Sequence, residues 1–226
     1  MTRMLTPHIT LAAVLLLFAG TGFAAGSGGS PSVGTYDQAA EQLSPEEASR
    51  KRFRAGVRQR DKALKHERRA ATAKNDKARD KQLKRARKAF EKAIAKQGEA
   101  LQLDPQNYAA ANELGFALRK TGEYRKAIGA YNYALDLNPD FHEATEYRGE
   151  AFLALGMLEQ AQRSYMVLFR DNAELAALLM EKMDAWLAAR PEELTQTEQA
   201  FAAWVAERKR LATMTQDVSM RDGRDW

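Results

Sequence analysis

Cysteine is absent from all 226 residues. That absence excludes disulfides and any lipid-modified cysteine anchor. Histidine is scarce as well: His8, His66 and His142 lie far apart, and no two of them form a helical metal-binding pair. The chain has no nucleophile elbow, phosphate-binding loop or dinucleotide fingerprint. Its carboxylates are plentiful, but acids on exposed helical faces serve solubility far more often than catalysis. No catalytic residue, cofactor or metal site is expected, and the chain reads as non-enzymatic.

Long apolar runs are missing except near the start. Arg3, the apolar stretch Ile9 to Phe18 and the small residues of Gly22-Phe23-Ala24 have the pattern of an export signal, with cleavage expected after Ala24. The apolar run falls short of the ~20 residues of a membrane span. Residues 1–24 therefore read as a signal peptide and the product as periplasmic or secreted. An uncleaved inner-membrane anchor is the alternative. Residues 25–44, rich in Gly and Ser at first, read as a flexible linker.

What the next segment lacks is acid. Residues 46–97 hold twenty basic residues against seven acidic ones, whereas Gly98 to the end holds fourteen against twenty-one. Ser44-Pro45 makes a helix start, and Gly56 is the only glycine or proline before Gly98, so residues 45–89 read as a basic helical arm. The expected break is Ala70 to Asp76, which contains Thr72 and Asn75. Apolar positions are few: Phe53, Val57, Leu64, Ala71 and Ala78 make a thin seam that drives a coiled coil weakly. Arg50, Arg54, Arg58, Lys65, Arg68 and Arg69 are its candidate contacts with an anionic envelope surface such as lipid, lipopolysaccharide or cell wall. Nucleic acid is not expected, because the segment is read as exported and only Phe53 and Phe90 could stack on bases.

Downstream the chain repeats itself. Leu103-Asp104-Pro105 recurs thirty-four residues later as Leu137-Asn138-Pro139, and the interval carries Leu114-Gly115, Leu118, Gly122, Tyr124, Ala127, Tyr131 and Ala134-Leu135. Gly115 and Ala127 are small where two helices must approach to 8–10 Å. Gly122 ends the first helix, and Pro139 stops the second. Shifted by the same period, Gly149, Phe152, Gly156, Ala161 and Tyr165 repeat the pattern, and Phe90, Ala93-Ile94 and Ala100-Leu101 supply half a unit upstream. This pattern resembles the tetratricopeptide repeat, and it places repeats over 90–172. Ala173 stands where a closing proline would be. A capping helix pair is expected over 173–213, with Thr195 and Glu198 as a capping box, and a disordered tail over 214–226.

The resemblance implies an all-α, short hairpin solenoid with the basic arm at one end and the cap at the other. It also implies that the first helix of each hairpin lines a partner-binding groove, here through Asn112, Glu113, Phe116, Arg119, Glu143, Glu146, Tyr147 and Glu150. One family mode grips a peptide's terminal carboxylate with asparagine, lysine and arginine; Glu113, Glu143 and Tyr147 occupy those positions here, so such peptides are not expected. Glu143, Glu146 and Glu150 share a helical face and favour a basic or amide-rich polypeptide. Opposite charge on arm and groove also allows the arm to dock there, within one chain or between two copies. The function expected is an adaptor or scaffold of the bacterial envelope, with surface binding through the arm as the alternative.

Overall fold

A computed structural model describes residues 43–222, with side chains as far as 214. The expected signal peptide and nearly all of the expected linker lie outside these residues. Among the described residues the elements are eight α-helices and no strand: α1 (Pro45–Ala71), α2 (Asp76–Leu103), α3 (Tyr108–Lys120), α4 (Tyr124–Leu137), α5 (His142–Ala154), α6 (Leu158–Asp171), α7 (Ala173–Ala188) and α8 (Gln196–Asp222). Each packs on its successor, and α1, α3, α5 and α7 are also neighbours of one another along one side. None of these helices is long and apolar enough to cross a membrane.

The first hairpin is closed by smallness rather than by bulk. Ser44 and Glu47 form a reciprocal capping box ahead of Pro45. The chain then reverses at Thr72–Asn75, within the expected break, and Asn75 caps α2 by accepting from the Ala78 N–H at 2.9 Å. Between the helices lie Ser49, Gly56, Ala63 and Ala70, all buried and seven residues apart. Opposite them are Ala86, Ala89, Phe90, Ala93, Gln97 and Ala100. A Cβ on Gly56 would stand 2.4 Å from the Gln97 amide, and Ser49 Oγ donates to the Ala100 carbonyl at 2.9 Å. Small side chains at every seventh position let two helices touch nearly backbone to backbone.

This arrangement corrects two expectations. The boundary placed between 89 and 90 falls inside the continuous helix α2, because nothing breaks that helix before Asp104 and its buried positions serve α1 and the repeats alike. The seam expected through Phe53, Val57, Leu64 and Ala71 is not the buried line; these residues lie beside it, partly or fully exposed. The arm is thus a folded hairpin, not a projecting rod.

In the two central hairpins bulk fills the notch that glycine leaves. A Cβ on Gly115 would meet the Tyr131 ring at 2.6 Å, and Tyr131 is fully buried. One on Gly149 would meet Leu179 of the next hairpin at 2.7 Å, so the equivalent notch joins neighbours here. Gly122 and Gly156 turn the chain with φ of 88° and 68°, backbone that disfavours any other residue. Where a closing proline is missing, Asn172 ends α6 and caps α7 at once, accepting from Leu175 N–H at 3.0 Å.

The far end is closed by α7 and α8. Thr195 and Glu198 make the expected capping box, and Pro191 lies in the connection. Phe201 and Val205 enter a core with Tyr165, Leu168, Leu179 and Met183. Trp186 meets Phe201 edge-on at 5.7 Å, and Tyr165 meets Trp204 at 5.5 Å. Helix α8 continues to Asp222, so the disorder expected from 214 is corrected to helix over most of that span. No glycine or proline intervenes before Gly223, and the run starts from an anchored turn.

Candidate functional site

Residues of α3 and α5 that the repeat pattern assigns to the groove form a layered cluster. Phe116 stands between Phe90 of α2 and Tyr147 of α5, with ring centroids 6.2 and 5.3 Å away. The Arg119 guanidinium lies over Phe116 at 5.3 Å and over Tyr147 at 5.2 Å. Its Nη1 is 2.5 Å from Glu150 Oε2, and both side chains are largely shielded from water. A pocket of about 300 Å³ opens beside this pair, lined by Arg119, Lys120, Tyr124, Glu150 and Ala154. Below it Tyr131 is pushed upward from its ordinary pKa, first by burial, with Arg119 opposing.

The acidic residues do not form the bare stripe that spacing suggested. Glu143 is exposed, Glu150 is spent on Arg119, and Glu146 is only 3% exposed. Burial first, and then the neighbouring Glu150 charge, pushes the Glu146 carboxyl up to about 7, while Arg119 and Lys182 of α7 pull it down. Near neutral pH the Glu146 carboxyl therefore holds a proton part of the time.

On α3, Glu113 faces the first hairpin. Arg60 of α1 donates to its Oε1 and also bonds Asp61 Oδ1 at 2.9 Å. Burial raises the Glu113 carboxyl, against the pull of Arg60. Two turns along, Lys120 Nζ lies 2.8 Å from Glu67 of α1. Arm and repeats thus meet within the chain at Glu113 and Lys120, whereas Glu143, Glu146 and Glu150 make no ion pair with the arm among the described residues. Asn112 is 5% exposed, and its Oδ1, like Glu113 Oε2, has no protein partner.

Every other predicted residue of the arm is exposed. Arg50, Arg54, Arg58, Lys65, Arg68 and Arg69 make no ion pair among the described residues. Arg60 is the one that reaches the cluster, and nothing in a run of cations marks it out. Lys182 and Tyr131 were also missed as site neighbours, since their roles depend on how α7 and α4 pack. No group of His, Asp and Glu suited to a metal ion occurs among the described residues.

Among solved structures, the first TPR of Spaghetti (RPAP3), bound to HSP90 peptide SRMEEVD, is 25% identical over 56% of this chain and 94% of its own, with a TM-score of 0.39. The family model described as tetratricopeptide repeat matches residues 108–141, the stretch from the first residue of α3 to the residue before α5. That match falls on the central hairpin, where Gly115, Gly122, Ala127 and Tyr131 are packed as the pattern requires, so residues 108–141 form a tetratricopeptide repeat.

Proposed function

We propose that this protein is a non-enzymatic adaptor that holds an extended polypeptide against α3 and α5. The observation that carries this reading is the adjacent pair of unpartnered acceptors, Asn112 Oδ1 and Glu113 Oε2, beside the aromatic and arginine layer. Buried oxygens without a donor cost roughly 1–3 kcal/mol each, and the backbone N–H groups of an extended segment would satisfy them. Exposed Glu143 favours a segment that is basic or rich in amides over an acidic one.

An array of synthetic peptides graded in charge tests this. Basic and amide-rich members should be retained, and Asn112→Ala with Glu143→Lys should weaken capture about tenfold, or ~1.4 kcal/mol, with helicity unchanged. Preference for peptides ending in acidic residues, or indifference to the double variant, would sink the reading.

The same proposal places the adaptor in the bacterial envelope. What supports it is the leader-like pattern of Arg3, Ile9 to Phe18 and Gly22-Phe23-Ala24. Recovery from a periplasmic fraction as a chain beginning at Ala25 is the expected outcome. An intact chain found only in the cytoplasm would refute it.

A further inference from the structure

The first hairpin carries two rows of cations that far outnumber the acids beside them. On α1, Lys51, Arg54, Arg58, Lys62, Lys65 and Arg69 recur at three- and four-residue steps and so share one face. On α2, Lys77, Lys81, Lys84, Lys88 and Lys92 do the same. All are exposed, and none has a hydrogen bond or ion pair among the described residues. Most of the hairpin's acids are used elsewhere: Glu67 on Lys120, Asp76 on Arg79, Glu91 on Arg87, and Asp61 on Arg60, while exposed Asp80 stands within the α2 row. Charges spaced for solubility alone would interleave the two signs evenly; here cations far outnumber acids along both rows.

The rows meet across a cleft. It encloses about 370 Å³ and is lined by Gln59, Lys62 and His66 from α1 and by Arg85, Ala89, Lys88 and Lys92 from α2. Four of those side chains are cationic and none is acidic. His66 Nδ1 is held 2.8 Å from Gln82 Oε1, and the Gln59 side-chain oxygen is buried without a partner. The close approach of the helices at Ala63, Ala86 and Ala89 gives the cleft a floor and keeps the two rows side by side.

We propose that this face docks on an anionic phospholipid membrane, with one headgroup phosphate seated in the cleft. Between Lys77 and Lys92 the α2 row runs about 22 Å at 1.5 Å per residue, enough to meet several phosphates at once. Lysine predominates there, and its point charge on a flexible stem suits a fluid array of headgroups better than the fixed fork of arginine does. No aromatic ring stands among the rows to stack on a base: Phe53 is half-buried and Phe90 is buried. The choice of lipid over nucleic acid rests on the export proposed above.

The test is co-sedimentation of the full chain with vesicles of phosphatidylglycerol and phosphatidylcholine in equal parts, against vesicles of phosphatidylcholine alone. Any contribution of the apolar N-terminal run is common to both. Binding to the anionic vesicles should exceed binding to the neutral ones at least ~10-fold at low salt and lose that advantage at ~0.5 M salt. The Lys62→Glu, Lys81→Glu, Lys84→Glu, Lys88→Glu variant should fall to the neutral-vesicle level. The corresponding four-fold glutamine variant, which spares the fold more, should fall at least severalfold. Reversal of Lys126 and Arg163 in the repeats should change nothing. Equal binding to the two vesicles, an unaffected glutamine variant, or an equal loss in the repeat control would overturn the proposal. So would tighter binding to a mixed-sequence DNA duplex than to the vesicles. Cell fractionation reads export separately, so failure there leaves the vesicle result standing.

Discussion

The hairpin α1–α2 and the hairpins α3–α6 solve one problem in two ways. Both bring helices close enough to shed water. In the repeats, glycine opens a notch and a tyrosine or leucine fills it, so Tyr131 and Leu179 are fully buried. In the first hairpin, serine, glycine and alanine stand at seven-residue steps on α1, and the larger buried side chains, Phe90 and Gln97, come from α2 alone. Closing by smallness leaves most of each helix surface free, and α1 and α2 spend that freedom on charge. Closing by bulk consumes the surface, and polar residues near the core, such as Arg119, Glu150 and Glu146, must then find partners inside.

The sharpest way to break this comparison is to remove one arginine from each region. Arg119→Ala strips the shielded partner of Glu150 and the cation over two rings, and should cost about 3 kcal/mol in chemical denaturation. Arg58→Ala touches no partner and should change stability by less than ~0.5 kcal/mol. Similar costs at the two sites would mean that the cationic rows are structural.

Adding a methyl group asks the same question of packing. Gly115→Ala drives a Cβ into the rigid Tyr131 ring and should destabilise by about 2 kcal/mol, despite the ~1 kcal/mol that alanine gains in a helix. Gly56→Ala meets the Gln97 side chain, which can swing aside at the loss of its 3.3 Å bond to the Phe53 carbonyl. A cost near ~1 kcal/mol is expected there. Thermal midpoints of the two variants, measured side by side, decide whether the seven-residue seam is as intolerant as the tyrosine notch.

The same contrast explains what could be read without coordinates. Gly115, Ala127 and Tyr131 announce their packing because the bulky partner and the small one both stand out at fixed spacing, and Thr72–Asn75 announces the first turn by its capping chemistry. Ser49, Gly56, Ala63 and Ala70 carry no such signal, since small residues add little to any apolar period, and the more hydrophobic Phe53, Val57 and Leu64 drew the seam to the wrong line. Within the site, Arg119, Phe116 and Tyr147 were legible as neighbours from one repeat period. The pairing of Arg60 with Glu113 was not, because it depends on how α1 rests against α3. Nor was the burial of Glu146, which depends on the packing around α5; Lys182 of α7 is among its neighbours.

Glu146 gives the comparison its most selective test. In an unfolded chain its carboxyl titrates near 4.5, whereas in the stack burial and Glu150 hold it at about 7. The folded protein therefore keeps a proton that the unfolded chain has released between these values. Its contribution to stability is complete below about 4.5 and is lost as the pH rises through 7. Glu146→Gln has no such proton to lose, so it should match the parent below 4.5 and exceed it above 7, the gap opening as the pH rises between these values. Leu83→Ala on α2, an exposed apolar change, should give a difference from the parent that does not vary with pH over this range, because neither side chain titrates. If the Glu146 difference were equally flat, the carboxyl would be ionised on both sides of folding. The groove would then carry its full negative charge at every pH at which a basic segment could bind.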